Sequence, residues 1–288
     1  GTMHNMYEYL NMPQNKRLSC LSESPFCNND KPKRIMMNAK MTTQAVPLEE
    51  EIDDIKITRV NITNELNENT EIAILVDNSA NDTVYPQMAD FTFYGGVYRD
   101  VNLIVVPKEH FDLDYYGGPG LKITPTIEGK NAKVEIEAYV TNSKMGQQLK
   151  YTIKSACGCV VAETVTADTT VTLDIADVHL WHGRKDPYLY TAEIELIEDG
   201  KVLDNVSSRF GCRTFKIDAE NGFILNGEEY ALRGVSRHQD RPVKGNALAP
   251  EDHREDIELI TELGANTIRL AHYQHDRYFY DLCDENGI

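Results

Sequence analysis

The sequence predicts a chain of several domains, mainly β, that changes to α/β over residues 218–288. Three observations carry this. Apolar and polar residues alternate with a period of two between residues 121 and 217, which buries one face of each strand and wets the other. After Asp218 the apolar spacing becomes helical, between two short apolar runs. A glycine-rich break at Tyr116-Gly117-Gly118-Pro119-Gly120 divides the first β region from the second.

Residues 1–54 hold polar clusters such as Cys27-Asn28-Asn29-Asp30 and the run Glu49-Glu50-Glu51. No strand or helix period lasts there, so they are assigned as a leader of no predicted element. From Ile55 the pattern is β. Ile72-Ala73-Ile74-Leu75-Val76 closes on the turn signal Asp77-Asn78-Ser79, and Val101–Val106 stops at Pro107. In the next region Val134, Ile136, Ala138 and Val140 alternate with Lys133, Glu135, Glu137 and Tyr139. Tyr190, Ala192, Ile194 and Leu196 do so with Thr191, Glu193 and Glu195. About seven such strands in roughly 100 residues indicate an immunoglobulin-like β-sandwich. The lone tryptophan, Trp181, falls outside these strands and is assigned as a loop anchor.

In the last segment Tyr230–Val235 reads as a strand. Pro250-Glu251-Asp252 opens a helix, since proline suits the first helical position and acids suit the positive end of the dipole. Ile257, Ile260 and Leu263 follow at helical spacing, with Gly264 as the cap. Thr267–Ala271 is a second strand, Asp276–Glu285 a second helix ended by Asn286-Gly287. Strand, helix, strand, helix implies a parallel sheet.

Composition is that of a globular protein, with 41% hydrophobic and 26% charged residues. A net charge of -17 argues against a nucleic-acid partner, which needs a cationic face. No apolar run approaches the ~20 residues of a spanning helix, so no membrane partner is expected. The six cysteines include no CxxC with a matching pair, which disfavours structural zinc and fits reduced thiols in the cytoplasm.

Polar residues follow both α/β strands: Ser236-Arg237-His238-Gln239-Asp240 after the first, His272-Tyr273-Gln274-His275 after the second, which itself carries Arg269. In parallel barrels that end of the strands is the functional face. Such cations and imidazoles either bond sugar hydroxyls and orient carboxylates, or pair with acids inside the fold. A metal pair at His272 and His275 is disfavoured, because a strand-to-loop setting lacks the one-face geometry of a helix. The acids Glu251, Asp252, Glu255 and Asp256 read as solvated groups complementing the helix dipole.

These residues resemble a known family. Asn266–Tyr273, then Phe279-Tyr280 and Cys283–Ile288, is similar to the signature of glycoside hydrolase family 2. Leu232–His238 resembles the opening of its TIM (β/α)8 barrel, and Leu180–Gly183 with Pro187–Tyr190 its immunoglobulin-like domain. Asp90–Val101 resembles the end of its sugar-binding jelly roll. The run Arg237-His238-Gln239-Asp240-Arg241 is closer to β-galactosidases than to β-glucuronidases of the family, with departures at Ser236, Ala271 and Gln274.

The resemblance implies part of a jelly roll at 55–118, an immunoglobulin-like sandwich at 119–217 and the start of the barrel at 218–288, while 1–54 stays an unassigned leader that it does not cover. It implies a retaining glycosidase acting on terminal β-galactosides, homo-oligomeric in its full-length form. His238 and His272 match sugar-contacting positions. Arg269 matches an arginine beside the nucleophile, where it would hold that carboxylate ionised. Asp90 matches an aspartate that touches a sugar hydroxyl and a bound sodium; the cofactor expected is none in the chain as given, and sodium or magnesium in the full-length enzyme. The two catalytic glutamates come from later barrel strands, so the chain as given is expected to be a fragment with none of its own. The rival expectation is a non-catalytic module that binds carbohydrate or complements a partner chain. A β-glucuronidase or β-mannosidase of the same family is a third.

Overall fold

The structure is a computed structural model and describes residues 33–37, 58–63, 97–98 and 100–288. Two compact units are distinguished: residues 1–106 with 238–253 and 271–274, and residues 107–237 with 254–270 and 275–288.

In the first unit, β1 (Lys33–Met37), β2 (Thr58–Val60) and β3 (Val101–Val105) form an antiparallel sheet in the order β2-β1-β3, with Ile35 opposite both Val60 and Leu103. The sequence reading gives no element to residues 1–54. The structure places β1 there, at the centre of this sheet. A central strand formed by pairing with two distant strands leaves no local period to detect. The predicted strand at 72–76 and most of segment 55–118 lie outside the described residues.

The second unit begins with β4 (His110–Phe111), β5 (Leu121–Glu128), β6 (Asn131–Ala138), β7 (Val140–Thr141), β8 (Gln148–Lys154), β9 (Val160–Thr166), β10 (Thr170–Ile175), β11 (Tyr190–Glu198) and β12 (Lys201–Phe210). One sheet has the order β10-β6-β5, the facing one β12-β11-β8-β9, all antiparallel. The alternation read from the sequence is the burial observed. Val134, Ile136 and Ala138 of β6 and Ala192, Ile194 and Leu196 of β11 are buried, while the intervening charged residues face outward. With Tyr151, Ile153 and Phe210 they form one core. Phe111 of β4, ahead of the glycine-rich break, packs in the same core, and β4 pairs with β7.

Next come the antiparallel β13 (Phe215–Asp218), β14 (Gly222–Leu225) and β15 (Glu228–Glu229), then β16 (Gly234–Arg237) and β17 (Thr267–Leu270), which pair in parallel. The expected strand at 230–235 is shifted to 234–237. The Asn266 amide explains this: its Oδ1 accepts from the Arg233 N–H at 2.7 Å and its Nδ2 donates to the Ala231 carbonyl at 2.8 Å, replacing ladder bonds. Gly234 is required where the ladder starts, since a Cβ there would lie 2.2 Å from the Thr267 carbonyl oxygen.

Helix α1 (Pro250–Glu262) follows β16, and α2 (Arg277–Asn286) follows β17. The Asp276 carboxylate accepts from the Tyr278 N–H at 2.9 Å and caps α2, and Gly287 ends it in the left-handed conformation. Ile257, Ile260, Phe279 and Leu282 bury against Val235, Ile268 and Leu270 of the two strands. Trp181 joins this layer to the sandwich: its Nε1–H donates to the Asp284 carbonyl at 2.9 Å, and it is almost fully buried. Among the described residues no helix is long and apolar enough to cross a membrane.

Candidate active site

Strand β16 ends on Arg237, which is 6% exposed. A buried guanidinium needs its charge met and its donors used. Both needs are satisfied. Nε and Nη2 donate to Asp256 Oδ2 at 2.8 and 2.5 Å, and Nη1 lies 2.9 Å from His275 Nδ1. The group lies flat on Phe279, with Cζ 3.9 Å from the ring centroid. Arginine only donates, so His275 Nδ1 must be the accepting nitrogen and the ring proton sits on Nε2. One helix residue, one loop residue and one aromatic thus fix the end of the strand. Of the two roles open to Arg237 in the sequence, pairing with an acid is the one observed.

His238 follows Arg237 in the chain, and His272 follows Ala271 through a cis peptide bond. The two imidazoles meet edge to face, with centroids 5.2 Å apart and planes at 83°. Beside them the Tyr273 hydroxyl accepts from the Gln239 N–H at 3.3 Å, tying the loop after one strand to the loop after the other.

The loop from Asp240 to Ala249 is organised by Asp252, itself buried at the start of α1. Lys244 Nζ donates to both carboxylate oxygens at 2.7 and 2.8 Å, the Ala249 N–H donates at 2.8 Å, and Arg241 Nη1 lies 3.6 Å away. Burial pushes this carboxyl up, but the Lys244 hydrogen bond, the Ala249 N–H and the two cations outweigh it, leaving it below the ordinary carboxylate range. Asp240, Arg241, Pro242, Val243 and Gly245 line an open cavity of about 410 Å³. The acids of α1 are therefore not all the solvated dipole partners expected from sequence. Asp252 holds a loop and Asp256 holds Arg237. Spacing alone does not show that cations return to them from preceding segments.

Of the predicted site residues, His238 and His272 are brought together. Arg269 lies in β17 opposite Ser236 and is exposed. Asp90, expected at the sugar and at a cation, lies outside the described residues. Among the described residues no group of three or more His, Cys, Asp or Glu side chains is placed to hold a metal. The sequence reading gives none of Asp256, Tyr273 and Phe279 a site role: Asp256 reads there as a solvated helix acid, and Tyr273 and Phe279 stand within the family signature, Phe279 at the helical spacing from Leu282 that marks core.

Comparison with known proteins follows the same order along the chain. Residues 119–213 match the family model described as glycosyl hydrolases family 2, and residues 215–288 match its TIM barrel domain. A protein of Bacteroides fragilis named beta-glucuronidase is 35% identical over 232 residues, covering 77% of this chain and 33% of that protein. One of Thermoanaerobacter pseudethanolicus named beta-galactosidase is 30% identical over 229 residues, covering 75% and 30%. The crystal structure of an FMN-binding beta-glucuronidase from Facaelibacterium prausnitzii L2-6 superposes with a TM-score of 0.80 at 40% identity, covering 89% of this chain and 41% of that one. A Bacteroides uniformis beta-glucuronidase superposes with a TM-score of 0.77 at 30% identity, covering 91% and 34%. The chain thus spans about a third of the length of these curated relatives. With both family models matched in succession and two enzymes of that kind superposing on most of the fold, the chain belongs to glycosyl hydrolases family 2.

Proposed function

We propose that this chain forms the sugar-contacting start of a retaining β-glycoside hydrolase whose nucleophile and acid/base carboxyl groups lie outside these residues. The edge-to-face pair of His238 and His272 carries the reading. Two imidazoles held by adjacent strand-end loops offer donors and acceptors to neighbouring hydroxyls of one sugar ring. In this reading Arg269 keeps the nucleophilic carboxylate ionised, and Asp90 meets the sugar and a cation such as sodium. In it residues 55–106 belong to a jelly roll, 107–217, with Phe111 in the sandwich core, to an immunoglobulin-like domain and 218–288 to the barrel of a cytoplasmic homo-oligomer.

The run Arg237–Arg241 favours a terminal β-galactoside as substrate. A β-glucuronide is the second reading, favoured by the names of relatives such as that of Bacteroides fragilis. The test takes an enzyme joining this chain to the remainder of the barrel and measures nitrophenol release from the paired nitrophenyl β-glycosides. A higher kcat/KM on the galactoside supports the first reading. Preference for the glucuronide, weakened by salt as its carboxylate is screened, replaces it with the second. Turnover of neither overturns both. The 288-residue chain alone should release none.

A further inference from the structure

Four cysteines fall in well-described parts of the structure, and all are free thiols. Two are poor reagents. Burial pushes Cys212 up to about 11 and Cys283 up to about 12. The other two stand in the turn between β8 and β9, at Ser155-Ala156-Cys157-Gly158-Cys159, and both are exposed. Their sulfurs are 2.8 Å apart.

The backbone imposes that proximity. The Gly158 N–H donates to the Ser155 carbonyl at 2.8 Å, and the Ser155 N–H donates to the Cys159 carbonyl at 2.9 Å, closing the turn. Gly158 is left-handed, at φ +80°, which turns Cys159 back toward Cys157. The register of β8 and β9 shifts at Ile153/Lys154, just before the turn. The Ala156 N–H donates to the Tyr188 hydroxyl at 3.1 Å, and the Tyr188 ring stacks on His179 at 3.8 Å, so the turn is anchored on the 179–188 loop.

We infer that Cys157 and Cys159 form a reversible dithiol site that exchanges with low-molecular-weight disulfides and closes to an intramolecular disulfide. Hydrogen bonds from the Cys159 thiol and then the Ser155 hydroxyl hold Cys157 down to about 7, whereas the neighbouring Cys157 pushes Cys159 up. Cys157 is therefore the attacking thiolate and Cys159 the resolving thiol. The Cys157 thiolate attacks a small disulfide RSSR, forms the mixed disulfide Cys157–SSR and releases RS⁻. Cys159 gives its proton to solvent, attacks the Cys157 sulfur and expels the second RS⁻. Two protein thiols are oxidised and RSSR is reduced to two RSH once the leaving thiolates are protonated. A bridge spanning one residue closes a small ring, so a modest excess of thiol reopens it.

The 288-residue chain, reduced and native, is incubated with oxidised glutathione, quenched in acid, alkylated and mapped by peptide mass. The expected result is loss of both alkylatable thiols in the peptide carrying Cys157 and Cys159, no retained glutathionyl group, and full recovery with dithiothreitol. Cys159→Ser should trap one stable glutathionyl adduct on Cys157. Cys157→Ser should react at Cys159 about tenfold more slowly near neutral pH, because the remaining thiol is mostly protonated. Stable adducts on both wild-type cysteines, no modification, or a bridge to any other cysteine would overturn the site. Faster reaction of Cys157→Ser than of Cys159→Ser would overturn the assigned roles. Both substitutions sit in an exposed turn, so folding is not at stake, and circular dichroism of each variant checks this.

Discussion

His238 and His272 stand edge to face at 5.2 Å, each in the loop that follows one of two parallel strands. The contact sets the two imidazoles side by side, His238 half-buried and His272 exposed. In the enzyme completed through its barrel, His238→Ala and His272→Ala should each raise the barrier by about 1–3 kcal/mol of lost hydrogen bonding, lowering kcat/KM roughly fivefold to 150-fold. Because the rings touch, the double variant should lose less than the sum, and a double-mutant cycle reads this directly. Strict additivity would mean that the contact does no positioning, and unchanged kinetics that the histidines only pack.

Arg237 predicts a stability effect. Its charge is met by the Asp256 carboxylate, and its side chain is 5% exposed. Asp256→Ala removes this counter-charge from a buried guanidinium, at a cost of about 3 kcal/mol, the low end for a broken buried pair because Asp256 is itself 22% exposed. Arg237→Lys, with Asp256 in place, should also cost stability. A lysine cannot bond Asp256 and His275 together while lying flat on Phe279. Urea unfolding followed by far-ultraviolet circular dichroism measures both, and a midpoint unmoved in Asp256→Ala contradicts the account.

These examples show what the sequence makes legible. Alternation at Val134, Ile136 and Ala138 states which face is buried whatever covers it, so the sandwich could be read strand by strand. The helix limits were likewise local, written in Pro250, Asp276 and Gly287. His238, His272 and Arg269 were singled out by their place after or within a strand and by family resemblance. What stayed hidden was pairing across distance. Asp256 is one of four acids at one helix start, and nothing local says that Arg237 chooses it. Lys33–Met37 becomes a strand only because β2 and β3 flank it. The nearness of Cys157 and Cys159 depends on the left-handed Gly158, a backbone state that spacing does not reveal.

Asp252 gives the loop from Asp240 to Ala249 a pH dependence. Its carboxyl is lowered in the folded chain by Lys244, Ala249 and Arg241 against the opposing effect of burial. A lowered folded value means that the ionised form is held more tightly when folded. The stabilisation is thus complete above the unfolded value near 3.9 and is lost as pH falls through the folded value. Asp252→Asn should be less stable than wild type at pH 7, by about 1.5–3 kcal/mol for hydrogen bonds to a charged group. The gap should begin to narrow below about pH 4 and close only below the lowered folded value, where the wild-type carboxyl is neutral too. Denaturant midpoints of both proteins across that range decide it, and a gap constant with pH would assign the effect to packing alone.

Trp181 reports on the joint between the sandwich and α2. It is the only tryptophan, 6% exposed, and its Nε1–H is bonded to the Asp284 carbonyl in the last turn of that helix. Arg213 covers the ring with Cζ 4.6 Å from its centroid, and the Trp181 N–H donates to the Cys212 carbonyl at 2.8 Å. Its fluorescence should be blue-shifted in the native chain and move to the red on unfolding. Because one bond ties the indole to the helix, the fluorescence transition in urea should coincide with loss of helical circular dichroism. Trp181→Phe keeps an aromatic ring in place but removes the donor, leaving a partly buried helix carbonyl unmet, and should cost about 1–3 kcal/mol. Trp181→Ala adds a cavity and should cost about 3–5 kcal/mol. If the phenylalanine variant loses its helical signal at the wild-type urea midpoint, the bond to Asp284 does not couple the layers. A deficit in the alanine variant alone would then show that packing, not the hydrogen bond, holds the helix against the sandwich.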